Sequence, residues 1–370
     1  MDNTEFHVLR GDDALNLKDY SRAQAAYGRG LQLAPADSAA LSGKAVTTAY
    51  LAARPGIGQL QKDHALKSAE ELLAQAIKSA QNDQEKLRVH SFGIQVYVAL
   101  QQPENWFEKA TDSFEKAVSI SQQNPEPYFY MARAEAAKFN FSQAVQHYNK
   151  VLTLNKKYLE ETNRELVVLQ KIQRAQPGSR FGKEIALVEK ITRADMSALL
   201  IAELRLDRLY QQKQQVVTST FSAPATQQRL QADHLQKVPE AFDIAGNPLE
   251  ETIKEVLKLN VKGLEADASH KFYPQQPLRR AEFALLLQDI LVKITSDRKL
   301  ATKYFGEPSP FPDVRNSVYY YNAVRIVVER GWLKVSNPVT GEFSPGADVS
   351  GADALLIIRD LKEIARSALR

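Results

Sequence analysis

Leu278-Arg279-Arg280-Ala281-Glu282-Phe283 has two counterparts in this chain, Ile191-Thr192-Arg193-Ala194-Asp195-Met196 and Val349-Ser350-Gly351-Ala352-Asp353-Ala354. Each copy runs apolar, short polar or basic, arginine (glycine in the third), alanine, acid, and then continues into an apolar helical run. The second and third copies follow a turn of the form Phe-x-Pro, Phe272-Tyr273-Pro274 and Phe343-Ser344-Pro345. The acid of each copy is placed to hold the arginine or to cap backbone N–H groups at the helix start.

Outward from these copies the C-terminal half reads as three modules, about 177–214, 236–294 and 308–366. Asp243-Ile244 opens the second. A helix over 249–259 follows, turning Ile253, Val256 and Leu257 inward, and Gly263 ends it. A second helix covers 281–294. Phe311-Pro312-Asp313-Val314 opens the third module. Its first helix turns Ala323, Val324, Val327 and Val328 inward and stops at Gly331; Gly341 and Phe343 precede the final helix. In the first module only 191–204 stands out, and its opening helix is either 159–175 or absent. The stretch Gln215–Gln228, with Thr218-Ser219-Thr220 and Ser222-Ala223-Pro224, reads as a loop between the first and second modules.

These motifs resemble the S-layer homology family, whose modules carry a Thr-Arg-Ala-Glu motif at a helix start. The resemblance implies a pseudo-threefold unit in which one helix from each module enters a central bundle. The grooves between modules then bind peptidoglycan or an associated acidic wall polysaccharide. Arg193 and Arg280 are the implied anion-binding residues, with Asp195, Glu282, Asp243 and Asp313 around them. Tyr319 stands where the family usually has tryptophan. An arginine beside the positive end of a helix dipole suits a sugar-borne carboxylate, at about 1.5–3 kcal/mol for a charge-assisted bidentate contact. Gly351 takes the arginine position in the third copy and Pro248 a tryptophan position in the second, so at most two grooves are equipped for an anion. In the competing reading, Arg193 and Arg280 pair with Asp195 and Glu282 and only fix helix ends.

Another pattern fills residues 4–158. Alanine is followed after four positions by an aromatic or leucine, then after three by a small or β-branched residue. The copies are Ala23/Tyr27/Gly30, Ala69/Leu73/Ala76, Ala110/Phe114/Ala117 and Ala144/Tyr148/Val151. Spacings of four and three place each trio on one helical face. Lys18-Asp19-Tyr20 and Asn140-Phe141-Ser142 supply turns before the first and last copies, and Pro35 closes the first repeat. The windows 4–37 (Gly11, Ala23, Tyr27, Pro35) and 125–158 (Tyr128, Ala132, Phe139, Ala144, Tyr148) resemble the tetratricopeptide repeat, with its period of about 34 residues. About four repeats fit in 1–158. Residues 54–63 read as a loop interrupting the second, and Gln101-Gln102-Pro103 breaks helices inside the third. The resemblance implies a helical solenoid with a groove that holds an unidentified protein partner. Tyr128, Tyr130 and Arg133 are the candidate groove residues, with Tyr130 and Arg133 sharing an exposed face. A solenoid serving only as a spacer is the alternative. Residues 159–176 form a capping or linker helix with the stripe Leu159, Leu166, Leu169, Ile172, and Gln176-Pro177-Gly178-Ser179 marks a break.

The expected fold is thus mostly α: a tetratricopeptide helical solenoid followed by a three-module S-layer homology domain with short extended segments. Composition narrows the function classes. The net charge is +4 over 370 residues, and acids and bases balance in 231–370, which is no nucleic-acid surface. The absence of cysteine excludes disulfides and thiolate sites. No apolar run approaches the length that spans a bilayer. The six histidines lie apart, without His-x-x-x-His or His-Glu-x-x-His spacing. Asp267 near His270 gives one carboxylate where calcium needs six to eight oxygens, and no Gly-x-Ser-x-Gly elbow occurs. No catalytic residue, metal or cofactor is expected. The expectation is a non-enzymatic cell-envelope protein whose C-terminal half attaches to wall polymer while the repeats hold a partner. A subunit of a secretion or outer-membrane assembly is the alternative, and a cytoplasmic scaffold a third. Met1-Asp2-Asn3-Thr4-Glu5-Phe6 is no secretory signal, so a periplasmic or envelope location requires a signal peptide or lipid anchor removed from this sequence.

Overall fold

The computed structural model describes residues 2–211 and 241–368; the loop expected at 215–228 lies outside them. The described chain is mostly helical. Extended pairing among the described residues is confined to isolated bridges, Thr192 with Pro277, Arg279 with Asp348 and Asn337 with Glu342. The chain divides into two units, Met1–Leu169 and Gln170–Arg370.

In the N-terminal unit, α1 (Thr4–Asn16) pairs with α2 (Tyr20–Leu33), and α3 (Ser38–Ala52) with α4 (Gln59–Ser79). α5 (Asp83–Leu100) pairs with α6 (Trp106–Ile120), and α7 (Pro125–Ala137) with α8 (Phe141–Leu154). Side chains of Asn3, Asp19, Asp37, Asn82 and Asn124 accept backbone N–H bonds where α1, α2, α3, α5 and α7 begin, the placement that satisfies orphan donors of a first turn. The alanine–aromatic–small trios lie on the second helix of each hairpin. Ala23, Tyr27 and Gly30 are buried on α2, and Ala144, Tyr148 and Val151 on α8. On α4 and α6 the flanking alanines are buried, while Leu73 and Phe114 are half-buried.

Tyr27 shows how the larger middle residue fills the gap between helices. Its ring fills the space beside Gly11 of α1 and Gly43 of α3, where an added Cβ on either glycine would overlap the ring. Its hydroxyl donates to Asp12 at 2.6 Å. The interruption at 54–63 is shorter than expected: α4 begins at Gln59, because Gln61 accepts the Gly58 N–H at 3.0 Å and starts the helix there. Gln101, in left-handed conformation, ends α5 before Pro103.

The first helices form a row, α3 packing on α1 and α5, and α5 on α7. Arg88 of α5 donates to Asp12 of α1 at 2.6 and 3.0 Å. That pair joins the third hairpin to the first. The division between the units falls within α9 (Leu159–Ala175), whose residues Leu166, Leu169 and Ile172 are buried.

The C-terminal unit contains α10 (Arg180–Ala186), α11 (Arg193–Ala202), α12 (Glu250–Lys258), α13 (Arg280–Thr295), a 3-10 turn (Arg298–Ala301), α14 (Tyr321–Glu329) and α15 (Gly351–Ala368). α11, α13 and α15 start on the three motif copies. α11 packs on α12, α13 on α14, and α15 on α10, so each motif helix meets the opening helix of the next module and the third returns to the first. The main chain repeats this order: Leu278 N–H donates to Ile191 O at 2.8 Å and Ile191 N–H to Val349 O at 3.0 Å. The opening helix of the first module is therefore α10, not 159–175. Seven residues, two turns, are too few to display an apolar period in sequence. On α14 the buried positions include Ile326, while Val328, expected inward, is half-buried.

Candidate functional site

Both motif arginines are engaged by main-chain carbonyls. Arg193 donates to three main-chain carbonyls of the next module: Nε to Phe272 at 2.8 Å, Nη1 to Gly263 at 2.9 Å and Nη2 to Glu265 at 2.7 Å. Its guanidinium lies over the Phe272 ring, 4.8 Å from the centroid, and its side chain is 8% exposed. Burial lowers its pKa, opposed by the charges of Glu282, Glu265 and Asp243. Arg280 repeats the arrangement one module on. It donates from Nε to Phe343 O at 2.9 Å and from Nη2 to Lys334 O at 2.6 Å, and lies 4.4 Å from the Phe343 centroid. Arg280 is half-buried. The expectation of two guanidinium groups open to an anion is thus corrected at Arg193, all three of whose nitrogens are engaged, while Arg280 stays half-buried with bonds from two of its three nitrogens. Of the alternative, pairing with Asp195 and Glu282, one contact is present: Arg193 Nη1 lies 3.9 Å from Glu282, farther than the main-chain carbonyls it serves.

The acids serve helix starts and turns. Asp195 accepts from the Thr192 N–H at 2.8 Å and hydroxyl at 2.9 Å, a capping box. Glu282 accepts from the Arg279 N–H at 2.9 Å. Asp243 accepts from both Phe272 and Tyr273 N–H at 2.7 Å. Asp313 does the same for Phe343 at 2.9 Å and Ser344 at 2.6 Å. Each aspartate thereby fixes a Phe-x-Pro turn whose middle residue, Tyr273 or Ser344, has positive φ. Aromatic surface remains outside this frame. Tyr319 is 78% exposed and packs edge-on against Tyr320, and Tyr273 is 42% exposed with its hydroxyl donating to Asp267 at 2.8 Å.

In the N-terminal unit the three candidate residues separate. Tyr128 packs edge-on against Phe114 of α6, with His147 of α8 beside it. That is the side of the second helices, away from the expected groove. Tyr130 is buried and its hydroxyl lies 3.3 Å from that of Tyr158. It shares no exposed face with Arg133. Arg133 lies over the Phe129 ring and donates from Nε to Glu165 of α9 at 3.0 Å; Tyr148 also donates to Glu165. Burial opposes the charge of Arg133, yet its bonds to Glu165 raise its pKa on balance.

Sequence reasoning missed Tyr20, Tyr50 and Gln95. Tyr20 and Tyr50 stack with ring centres 4.5 Å apart, and the Tyr50 hydroxyl donates to Gln95 Oε1 at 3.3 Å. Burial pushes the Tyr50 hydroxyl up to about 12, with the Arg133 charge pulling the other way. Only the separate hairpins that carry them, read as stacked, hint at their meeting.

Among the described residues no cluster of His, Asp and Glu suited to a metal ion occurs, and no helix is long and apolar enough to cross a membrane. The fold defines a class, a mostly helical chain with stacked hairpins in one unit and three cyclically docked modules in the other. Compared with protein-family models, curated proteins and solved structures, the chain finds no match.

Proposed function

We propose that this protein is a non-enzymatic adaptor of the bacterial cell envelope, a tetratricopeptide-type solenoid that holds a protein partner joined to an S-layer-homology-type unit that binds wall polysaccharide. The observation that carries the reading is the cyclic docking of three motif-bearing modules, with Phe-x-Pro turns and opening aspartates in register in two of them. A saccharide contact on this unit is made by exposed aromatic rings, Tyr319 foremost and Tyr273 beside Asp267, since flat rings offer apolar area at little entropic cost. Arg193 and Arg280 hold the Phe-x-Pro turns in place and do not touch the polymer in this reading. Attachment raises the local concentration of the partner near the wall, in the periplasm or at the envelope.

The test is co-sedimentation of the full chain with purified peptidoglycan sacculi. The wild type is expected in the pellet, and Tyr319→Ala is expected to shift it toward the supernatant with its melting temperature unchanged. A wild type left wholly in the supernatant removes the anchoring reading. The engagement of both motif arginines by main-chain carbonyls favours a second reading, a subunit of an envelope assembly in which both units bind protein. Its signature is stable co-purification with a membrane complex and indifference to sacculi.

A further inference from the structure

The inner side of the N-terminal unit gathers side chains from all four hairpins. Tyr20 of α2 and Tyr50 of α3 form a flat pair, their planes 11° apart. Gln95 of α5 lies against the Tyr50 hydroxyl, and the charge of Arg133 on α7 acts on both tyrosines. Gln95 is 3% exposed and its Nε2 has no hydrogen-bond partner. Arg88 Nε, seven residues earlier on the same face of α5, is also buried without an acceptor. Unpaired buried donors are uncommon and call for an explanation. Neighbouring acceptors are already engaged: Asp12 by Arg88 and Tyr27, Glu165 by Arg133 and Tyr148, and Gln95 Oε1 by Tyr50.

This side therefore combines flat rings with buried N–H donors that lack acceptors and that a ligand reaches only as a side chain moves. The complementary ligand brings carbonyl oxygens, a ring that lies flat, and few N–H groups of its own. Proline is the residue whose main chain accepts without donating. A polyproline II chain leaves its carbonyls unpaired, and aromatic-lined grooves are its usual docking surface.

We propose that the inner face of the N-terminal unit binds a proline-rich segment in polyproline II conformation, one pyrrolidine ring against the Tyr20–Tyr50 pair and a main-chain carbonyl accepting from Gln95 Nε2 as the Tyr50 hydroxyl gives way. This rests on reading the solenoid as a protein-binding unit and names the chemistry of its partner.

The test is calorimetric titration of the full chain with three synthetic decapeptides: all-proline, glycine–serine, and glutamate-rich. The proline peptide is expected to bind, and Tyr20→Ala and Gln95→Leu each to weaken it about tenfold, the scale of one hydrogen bond or ring contact. Tyr20→Phe, which keeps the ring, and Tyr128→Ala, on the side of the second helices, are expected to bind as the wild type does. Circular dichroism checks that each variant keeps its helices. If Tyr20→Ala unfolds, Gln95→Leu decides. A proline peptide that binds no better than glycine–serine, or equally to Gln95→Leu, overturns the proposal. Selective binding of the glutamate-rich peptide overturns it too but leaves the solenoid a peptide carrier. Retention on sacculi is read separately and depends on neither outcome.

Discussion

Gly351 stands against the main chain of Ile185 so closely that an added Cβ would overlap the Ile185 carbonyl oxygen. The third motif copy thus has no room for the arginine of the other two. The loss is matched elsewhere. Arg193 stacks on Phe272 and Arg280 on Phe343, each on the Phe-x-Pro turn of the following module. Gly351 follows the same order and faces the first module, where Leu187-Val188-Glu189 stands in place of such a turn. Arginine and turn are present or missing together. Gly351→Ala is therefore expected to destabilise the C-terminal unit by about 1–3 kcal/mol, because the obstructing atom is backbone and moves little. Gly351→Arg, which restores the motif in sequence, is expected to do worse. The chain has two tryptophans, Trp106 and Trp332, one in each unit. Urea unfolding followed by Trp332 fluorescence in a Trp106→Phe background reads this unit alone; an unchanged midpoint for Gly351→Arg would contradict the packing.

Arg193→Ala is expected to cost about 3 kcal/mol or more, since it strands three carbonyls that the guanidinium serves and removes its contact with Phe272. Arg280→Ala removes bonds to two carbonyls from a more exposed site and is expected to cost about half as much. Arg193→Lys does not rescue, because one ammonium cannot reach carbonyls spread around a planar fork. The same fluorescence assay ranks the three variants. Equal and negligible losses would return both arginines to a surface role.

Helix positions were legible where the apolar period was long. Ala23/Tyr27/Gly30 and Ile253/Val256/Leu257 each fall on one buried face, as a spacing of three and four requires. α10 was not legible, because two turns carry too little period. The partners of Arg193 were hidden for another reason: every residue has a carbonyl, so Gly263, Glu265 and Phe272 leave no trace of that role in residue type. The neighbouring acids Asp195 and Glu282 do have a role legible in residue type, since acids at a helix start cap main-chain N–H groups. Tyr130 failed similarly. Its spacing to Arg133 is that of one helical face, but Tyr158, contributed from beyond α8, buries it. The Tyr20–Tyr50–Gln95 contact depends on three hairpins stacking, which no local pattern encodes.

Glu203 sets a pH dependence for the C-terminal unit. It is buried, and burial alone would raise its pKa. The hydroxyl and N–H of Ser179, the Lys362 ammonium and the Gly178 N–H outweigh that, and the pKa is lowered from the ordinary 4.5. A depressed folded-state pKa gives stability that is complete above the unfolded value and is lost as pH falls through the folded value. The urea midpoint reported by Trp332 is thus expected to fall on acidification below 4.5. Glu203→Gln is expected to lower the midpoint at neutral pH and to flatten that acid limb. A variant with the full wild-type acid slope would show that other carboxylates carry it.

Tyr27 and its two glycines supply a coupling measurement. Gly11 and Gly43 belong to different helices, and the Tyr27 ring occupies the space where either Cβ would project. Gly43→Ala alone forces the ring or a helix to shift and is expected to destabilise by about 1–3 kcal/mol. Tyr27→Leu alone opens a void and leaves Asp12 with Arg88 as its remaining partner, at a cost of about 2–4 kcal/mol. In the double variant the methyl at position 43 fills part of that void, so the two losses should not add. A double-mutant cycle read by Trp106 fluorescence in a Trp332→Phe background is expected to give a favourable coupling of about 1 kcal/mol or more. Strict additivity would mean that the ring already yields in the folded protein, and the close seating of hairpin one on hairpin two would then rest on other contacts than Tyr27.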